Sequence, residues 1–299
     1  MNIYGQVGWR SAISSNPFTA TRVLDNYTGA AAAYSLKKLR TAYVGNAIRV
    51  RRSNDNTEQN IGFDVNGNLD TTSLLSFVGS NNGFVTTWYD QTTNGYNQTQ
   101  TSATLQPQIV SNGTLLTSNG NPALKFDGTN DYLTNFNTGL GTSFSGDDKA
   151  CSVFTVGHPL VANQSTPVSF ARKNTTTDLE QIVPFGLNTT NTYFYKRDNS
   201  GVIKSYNFSG ISLSQQLISM YSNGVTLSVN QNRVNKISLA DVNVATITLD
   251  NLSLGALSRT AVSNYYNGYL QEVIAYQSDQ TTNVSAIENI IKTNYGASW

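Results

Sequence analysis

Two short segments of the chain combine side chains suited to holding a sugar. Such recognition needs a flat aromatic ring against the apolar face of the sugar and amides or carboxylates on its hydroxyls, carried at one edge of a rigid scaffold. Over residues 191–199 the alternation of an extended strand puts Tyr193 and Tyr195 on one face and Phe194 on the other. Over residues 263–267, Tyr265 and Tyr266 stand between Asn264 and Asn267 in a loop. These six residues, Tyr193, Tyr195, Asn264, Tyr265, Tyr266 and Asn267, form the candidate glycan-binding set. The competing reading is that tyrosines at strand edges simply fill a sandwich.

Reactive side chains are scarce. The chain has one cysteine, Cys151, and one histidine, His158. That rules out an internal disulfide and any zinc site built from a Cys cluster or several His. Cys151 reads as a buried hydrophobe, and His158, just before Pro159, as a structural histidine at a strand end. No glycine-rich phosphate loop precedes a helix. Asp90, Asn94 and Asp127 could ligate calcium in loops, but Asp and Asn also make unliganded turns. Arg49 and Arg51 alternate with apolar residues, so a half-buried strand would expose both, with Arg52 beyond. They could meet an anionic sugar, or pair with carboxylates such as Asp55 or Asp64. No catalytic residue, metal ligand set or cofactor is assigned from these patterns.

The composition narrows the partners. Lys and Arg number 19 and Asp and Glu 18, a net charge of +1, which gives no electrostatic basis for capturing nucleic acid or an anionic membrane. Charged residues make up 12 % of the 299 residues, against roughly 25 % in a usual soluble domain. Amides and hydroxyls replace them, as in many extracellular β-proteins. No apolar window reaches the ~18 residues of a membrane span. Residues 1–10 lack a basic start and an apolar run, so no secretory leader is read there.

Elements that would position these side chains are mostly short strands. Candidates lie at 47–51, 84–89, 108–110, 123–126, 152–157, 167–171, 182–185, 193–196, 202–206, 217–221, 226–230, 252–256 and 269–276. Asn223-Gly224 is the clearest hairpin turn. Helices are predicted over 30–40, from the Ala-rich run, and over 70–78, with Asp70 as cap and Gly79 past the end. A third is predicted after Val284, with a Ser285/Glu288 capping box and Gly296 as its stop. Residues 1–22 read as an N-terminal arm and 23–299 as one jelly-roll domain.

Some stretches resemble known families. Residues 24–40, beginning Leu24-Asp25-Asn26-Tyr27-Thr28-Gly29, then 48–53, then Trp88-Tyr89-Asp90-Gln91-Thr92-Thr93-Asn94-Gly95, resemble LamG-like proteins of bacteriophage genomes. The same run is similar to the start of the arabinofuranosidase B catalytic domain. Residues 125–132 and 266–276 resemble strands of laminin-G-like and concanavalin A-like jelly rolls. The resemblance implies an all-β, concanavalin A-like (LamG-like) jelly-roll sandwich with a few short helices. The arabinofuranosidase family pattern implies an Asp-x-Glu-Asn nucleophile segment and a pair of adjacent cysteines. Here Asp178-Leu179-Glu180 is followed by Gln181, and only one cysteine exists. Glu180 is then the nucleophile candidate, with Asp198, Asp241 and Asp250 as acids by default.

The resulting expectation is a virion surface structural protein, in fibre, tail or head decoration, that adheres to glycans without catalysis. Its partners would be other virion proteins and surface glycans, its place the virion or the extracellular space, and its assembly homo-oligomeric. Two alternatives accompany it: a purely structural virion subunit, and a glycoside hydrolase resembling arabinofuranosidase B.

Overall fold

The computed structural model describes residues 21–136, 139–173, 180–240 and 245–299. The N-terminal arm assigned to residues 1–22 falls almost wholly outside them. The chain is an all-β sandwich in which every strand pairing among the described residues is antiparallel.

One layer runs Val234–Ala240, Thr226–Gln231, Gln216–Ser222, Cys151–Pro159, Asn267–Tyr276. On the far side of Asn267–Tyr276, Leu124–Asp127 pairs with its first half and Ala32–Ser35 with its second. The facing layer runs Ile203–Ser209, Asn191–Arg197, Gln181–Leu187, Ser165–Ala171, Asn251–Leu254, Leu133–Phe136. Phe170, Phe185 and Phe194 from this layer share one buried cluster with Ile218, Met220 and Val229 from the other. Alternation along the strands leaves the opposite faces free for other work.

The terminal helix Val284–Tyr295 covers the outer face of the first layer. Val284, Ile287, Ile291 and Tyr295 bury themselves against Phe154, Val156, Leu217 and Ile274. Gly296 stops it in the left-handed conformation, as the sequence predicts. The capping box does not form. Asn283 is the N-cap, without a side-chain capping bond, and Glu288 instead accepts a hydrogen bond from Asn230 Nδ2 at 3.0 Å, tying helix to sheet. The helix Thr71–Val78 begins where expected, with the Asp70 carboxylate accepting from Ser73 N. Among the described residues, no helix is long and apolar enough to cross a membrane.

The Ala-rich run is the main correction. Residues 30–40 are extended, and Ala32–Ser35 is a fully buried strand. Small side chains suit it because both its faces are covered. On one edge it pairs with residues 272–275. On the other edge, side chains of the Trp-Tyr-Asp-Gln motif take the place of a neighbouring strand. Asp90 Oδ1 accepts from Ala33 N at 2.9 Å, Gln91 Oε1 accepts from Leu39 N at 2.7 Å, and Gln91 Nε2 donates to the carbonyls of Ser35 and Lys37, both at 2.9 Å. Asn94 Nδ2 donates to Ala31 O. Tertiary pairing of this kind overrides the helical preference of alanine, which is worth only tenths of a kcal/mol per residue.

The arginine row is partly buried rather than displayed. Arg49 pairs with Glu58 and Arg52 with Asp55. Arg51, expected outside, is buried and donates to Gln106, Asn56 and the Ala103 carbonyl.

Candidate sugar-binding pocket

Three adjacent strands of the second layer turn one face away from the core. Gln181 and Val183 of Gln181–Leu187, Tyr193 and Tyr195 of Asn191–Arg197, and Ser205 and Asn207 of Ile203–Ser209 share that face. The register is set by the pairs Val183↔Tyr195, Gly186↔Tyr193, Tyr195↔Ser205 and Tyr193↔Asn207. The intervening residues Ile182 and Phe194 point into the core, so the apolar side of the alternation anchors the aromatic side.

A glycine fixes where Tyr193 lies. The ladder is irregular between Val183 and Gly186, and a Cβ on Gly186 would come 2.4 Å from Tyr193 Cε2. The ring can lie across the strand only because that atom is missing. Burial raises the pKa of the Tyr193 hydroxyl, which therefore stays protonated and able to donate.

The rim comes from distant sequence. A small hairpin, Leu257–Ser258 against Val262–Ser263, brings Leu257 and Arg259 over the face. Asn264 follows directly and is held by its carbonyl, which accepts from Thr166 N at 2.8 Å. Together these residues enclose a cavity of about 420 Å³, the volume class of small-molecule sites. Gln181 and Arg259 line this cavity, and each has one buried side-chain atom, Oε1 and Nε, without a hydrogen-bond partner. Burial, reinforced against Tyr195's opposing effect by the like charge of Arg197, lowers the pKa of Arg259.

Thus the structure brings Tyr193, Tyr195 and Asn264 to one cavity, although they lie about 70 residues apart along the chain. The other three candidates go elsewhere. Tyr266 is fully buried, its ring against Phe126 and its hydroxyl donating to Tyr269 O, so it belongs to the core and not to a ligand surface. The reason is that the chain re-enters the sheet at this point, with Tyr266 N donating to Gly255 O. Asn267 starts the long strand opposite Asp127. Tyr265 is half-buried near Tyr132 and does not line the cavity. Sequence reading missed Gln181, Gly186 and Arg259. The only available signal for Arg259 was its place between Leu257-Ser258 and Val262-Ser263, a spacing that allows a short hairpin.

The carboxylates proposed as acids and nucleophiles lie away from the cavity wall or outside the described residues. Among the described residues none lines the cavity. Glu180, one residue before Gln181, is buried, 3.5 Å from Arg172, and its Oε2 has no hydrogen-bond partner. Asp178 and Asp241 lie outside the described residues. Asp198 is a turn residue, with Oδ1 accepting from Ser200 N and Val202 N and Oδ2 from Ala245 N. Burial alone would raise its pKa, but these bonds hold it below the usual carboxylate range. Asp250 Oδ1 accepts from Lys173 N.

The remaining reactive groups are engaged in structure. His158 Nδ1 lies 2.8 Å from Ser118 Oγ and Nε2 lies 3.2 Å from Leu213 O. Cys151 shares its strand, roughly 23 Å away at seven extended residues, so the two form no nucleophile–base pair. The calcium candidates are spent on backbone. Asp90 accepts from four donors, on Ala33, Thr92 and Tyr96, and Asp127 Oδ1 accepts from the N–H groups of Thr129, Asn130 and Asp131. Among the described residues no cluster of three or more His, Cys, Asp or Glu could hold a metal ion.

No family model matches the sequence, and no curated protein matches it. The fold does have counterparts among solved structures. A GH54 α-L-arabinofuranosidase soaked with a cyclic sulfate inhibitor superposes with a TM-score of 0.67 at 15 % identity, covering 88 % of this chain and 62 % of that one. An arabinofuranosidase complexed with arabinofuranosyl-α-1,2-xylobiose gives 0.64 at 18 % identity with the same coverage. The binding domain of botulinum neurotoxin serotype G gives 0.51 at 14 % identity over 69 % of this chain. The chain therefore spans about 62 % of the length of the arabinofuranosidases. These likenesses correct two expectations, the non-catalytic virion surface protein and the absence of enzyme character. The extended likeness is to glycoside hydrolases.

Proposed function

We propose that the chain is a glycoside hydrolase of the arabinofuranosidase type that holds its glycan in the Tyr193–Tyr195 cavity. The observation that carries this reading is the shared sandwich, matched over 88 % of the chain at a TM-score of 0.67. The cavity adds the recognition chemistry. Tyr193 and Tyr195 offer ring faces, while Gln181, Asn207 and Asn264 offer amides to the ring hydroxyls.

Hydrolysis needs more than recognition. A retaining enzyme sets two carboxyl groups roughly 5 Å apart, an inverting one roughly 6.5–9.5 Å apart. Because the described lining supplies neither, Glu180, the residue just before the cavity-bearing strand, is the carboxylate assigned to the work. One of its oxygens lies 3.5 Å from Arg172, and the other, Oε2, has no donor.

The test is release of 4-nitrophenol from 4-nitrophenyl α-L-arabinofuranoside. Wild-type turnover that falls by at least about 10²-fold in Glu180→Gln supports the assignment. A wild-type protein that binds the sugar at the cavity yet releases no nitrophenol overturns it.

A further inference from the structure

The cavity has an uncompensated charge. Arg259 lines it, and among the described residues no Asp or Glu does. Neither Arg259 nor Arg197, which acts on it as a like charge, takes part in an ion pair among the described residues, whereas Arg49, Arg52 and Arg172 each have a carboxylate. Arg259 Nε is buried without an acceptor. A guanidinium is best held where an acceptor meets it. Arg51 shows that arrangement in this protein, with bonds to Gln106, Asn56 and Ala103 O. Arg259 lines the cavity with no carboxylate beside it.

A second polar group lines the same cavity. Gln181 is more than nine-tenths buried, and its side-chain amide can meet a hydroxyl. The cavity thus holds a cation without an anion, beside an amide. We infer that it takes an acidic sugar, a hexuronate whose carboxylate meets the Arg259 guanidinium and whose hydroxyl donates to Gln181 while its ring lies against Tyr195. The planar guanidinium matches a carboxylate through two parallel N–H donors, which an ammonium group cannot do. This inference rests on the same cavity being the sugar site and adds the charge class of the glycan.

Calorimetric titration of trigalacturonate against its methyl ester tests it, with the full chain and with Arg259→Gln and Arg259→Lys. The acid should bind at least about 10-fold more tightly than the ester, with the preference weakening as salt rises. Arg259→Gln should abolish the preference, and Arg259→Lys should retain part of it. Thermal melts matched to wild type confirm that the variants are folded. Equal binding of acid and ester, no binding of either, or a preference that survives Arg259→Gln overturns the inference. Turnover of the nitrophenyl arabinofuranoside by the same wild-type sample would then leave the hydrolase reading standing, so the two can fail separately.

Discussion

The 90–94 loop and the tyrosine cavity are built from the same polar side chains, and they treat them in opposite ways. In the loop, Gln91 makes three hydrogen bonds to the backbone of residues 35–39, and both oxygens of Asp90 are filled. In the cavity, Gln181 and Arg259 keep buried atoms without partners. Buried polar groups are normally satisfied, so a satisfied set reads as scaffold, whereas polar side chains that line a cavity and keep bonding capacity in reserve read as a place for a ligand. Residue type alone does not separate the two.

The comparison can be broken most sharply at the loop. Asp90→Ala strands several donors, including the N–H of Ala33 in a buried strand. It should cost about 3–5 kcal/mol in chemical denaturation, with Gln91→Leu close behind. A loss below about 1 kcal/mol would mean the loop is not scaffold.

A buried carboxyl outside both regions gives the next effect. Burial lifts Glu272 from 4.5 to about 7, although Ser35 and Tyr295 donate to it and Lys37 lies near. Since the folded pKa is raised, its contribution is fully present below about pH 4.5 and is lost as pH rises through 7. Stability should fall over that window by an amount on the order of 3 kcal/mol. Glu272→Gln should flatten the slope and exceed wild type at pH 8 in thermal melts.

At the cavity, stability and binding should part company. Gly186→Ala pushes on the Tyr193 ring and should cost about 1–3 kcal/mol while weakening sugar binding, as followed by denaturation and calorimetry. Gln181→Leu should be the mildest, within about 0.5 kcal/mol of wild type or slightly stabilising, because it removes an unpartnered group. Its effect should appear in sugar affinity. A large destabilisation by Gln181→Leu would erase the contrast with Gln91→Leu.

The strands that position the cavity were legible because their sequences combine β-branched and aromatic residues with period-two alternation. Tyr193 and Tyr195 stand out for that reason. Ala32–Ser35 was not legible, since alanine's local preference says helix and the side-chain bonds that override it come from residues 90–94. Tyr266 misled because a Tyr-Tyr pair between asparagines looks like a loop, while the re-entry of the chain into the sheet is a long-range event. Arg259 carries only a local spacing that allows a short hairpin, and its meaning comes from that hairpin swinging it over a face made about 60 residues earlier.

The strand Asn267–Tyr276 has hydrogen-bonded neighbours on both edges, contributed by residues 32–35, 124–127 and 151–159. During synthesis all of these emerge before it. Until residues 267–276 leave the ribosome, the first layer is split by a gap one strand wide, bordered by unpaired backbone. Folding of such a topology is slow, and its late closure leaves sticky edges open to other chains. Yield in cells should therefore depend on elongation speed and holdase chaperones near this gap more than on the stability of the finished sandwich.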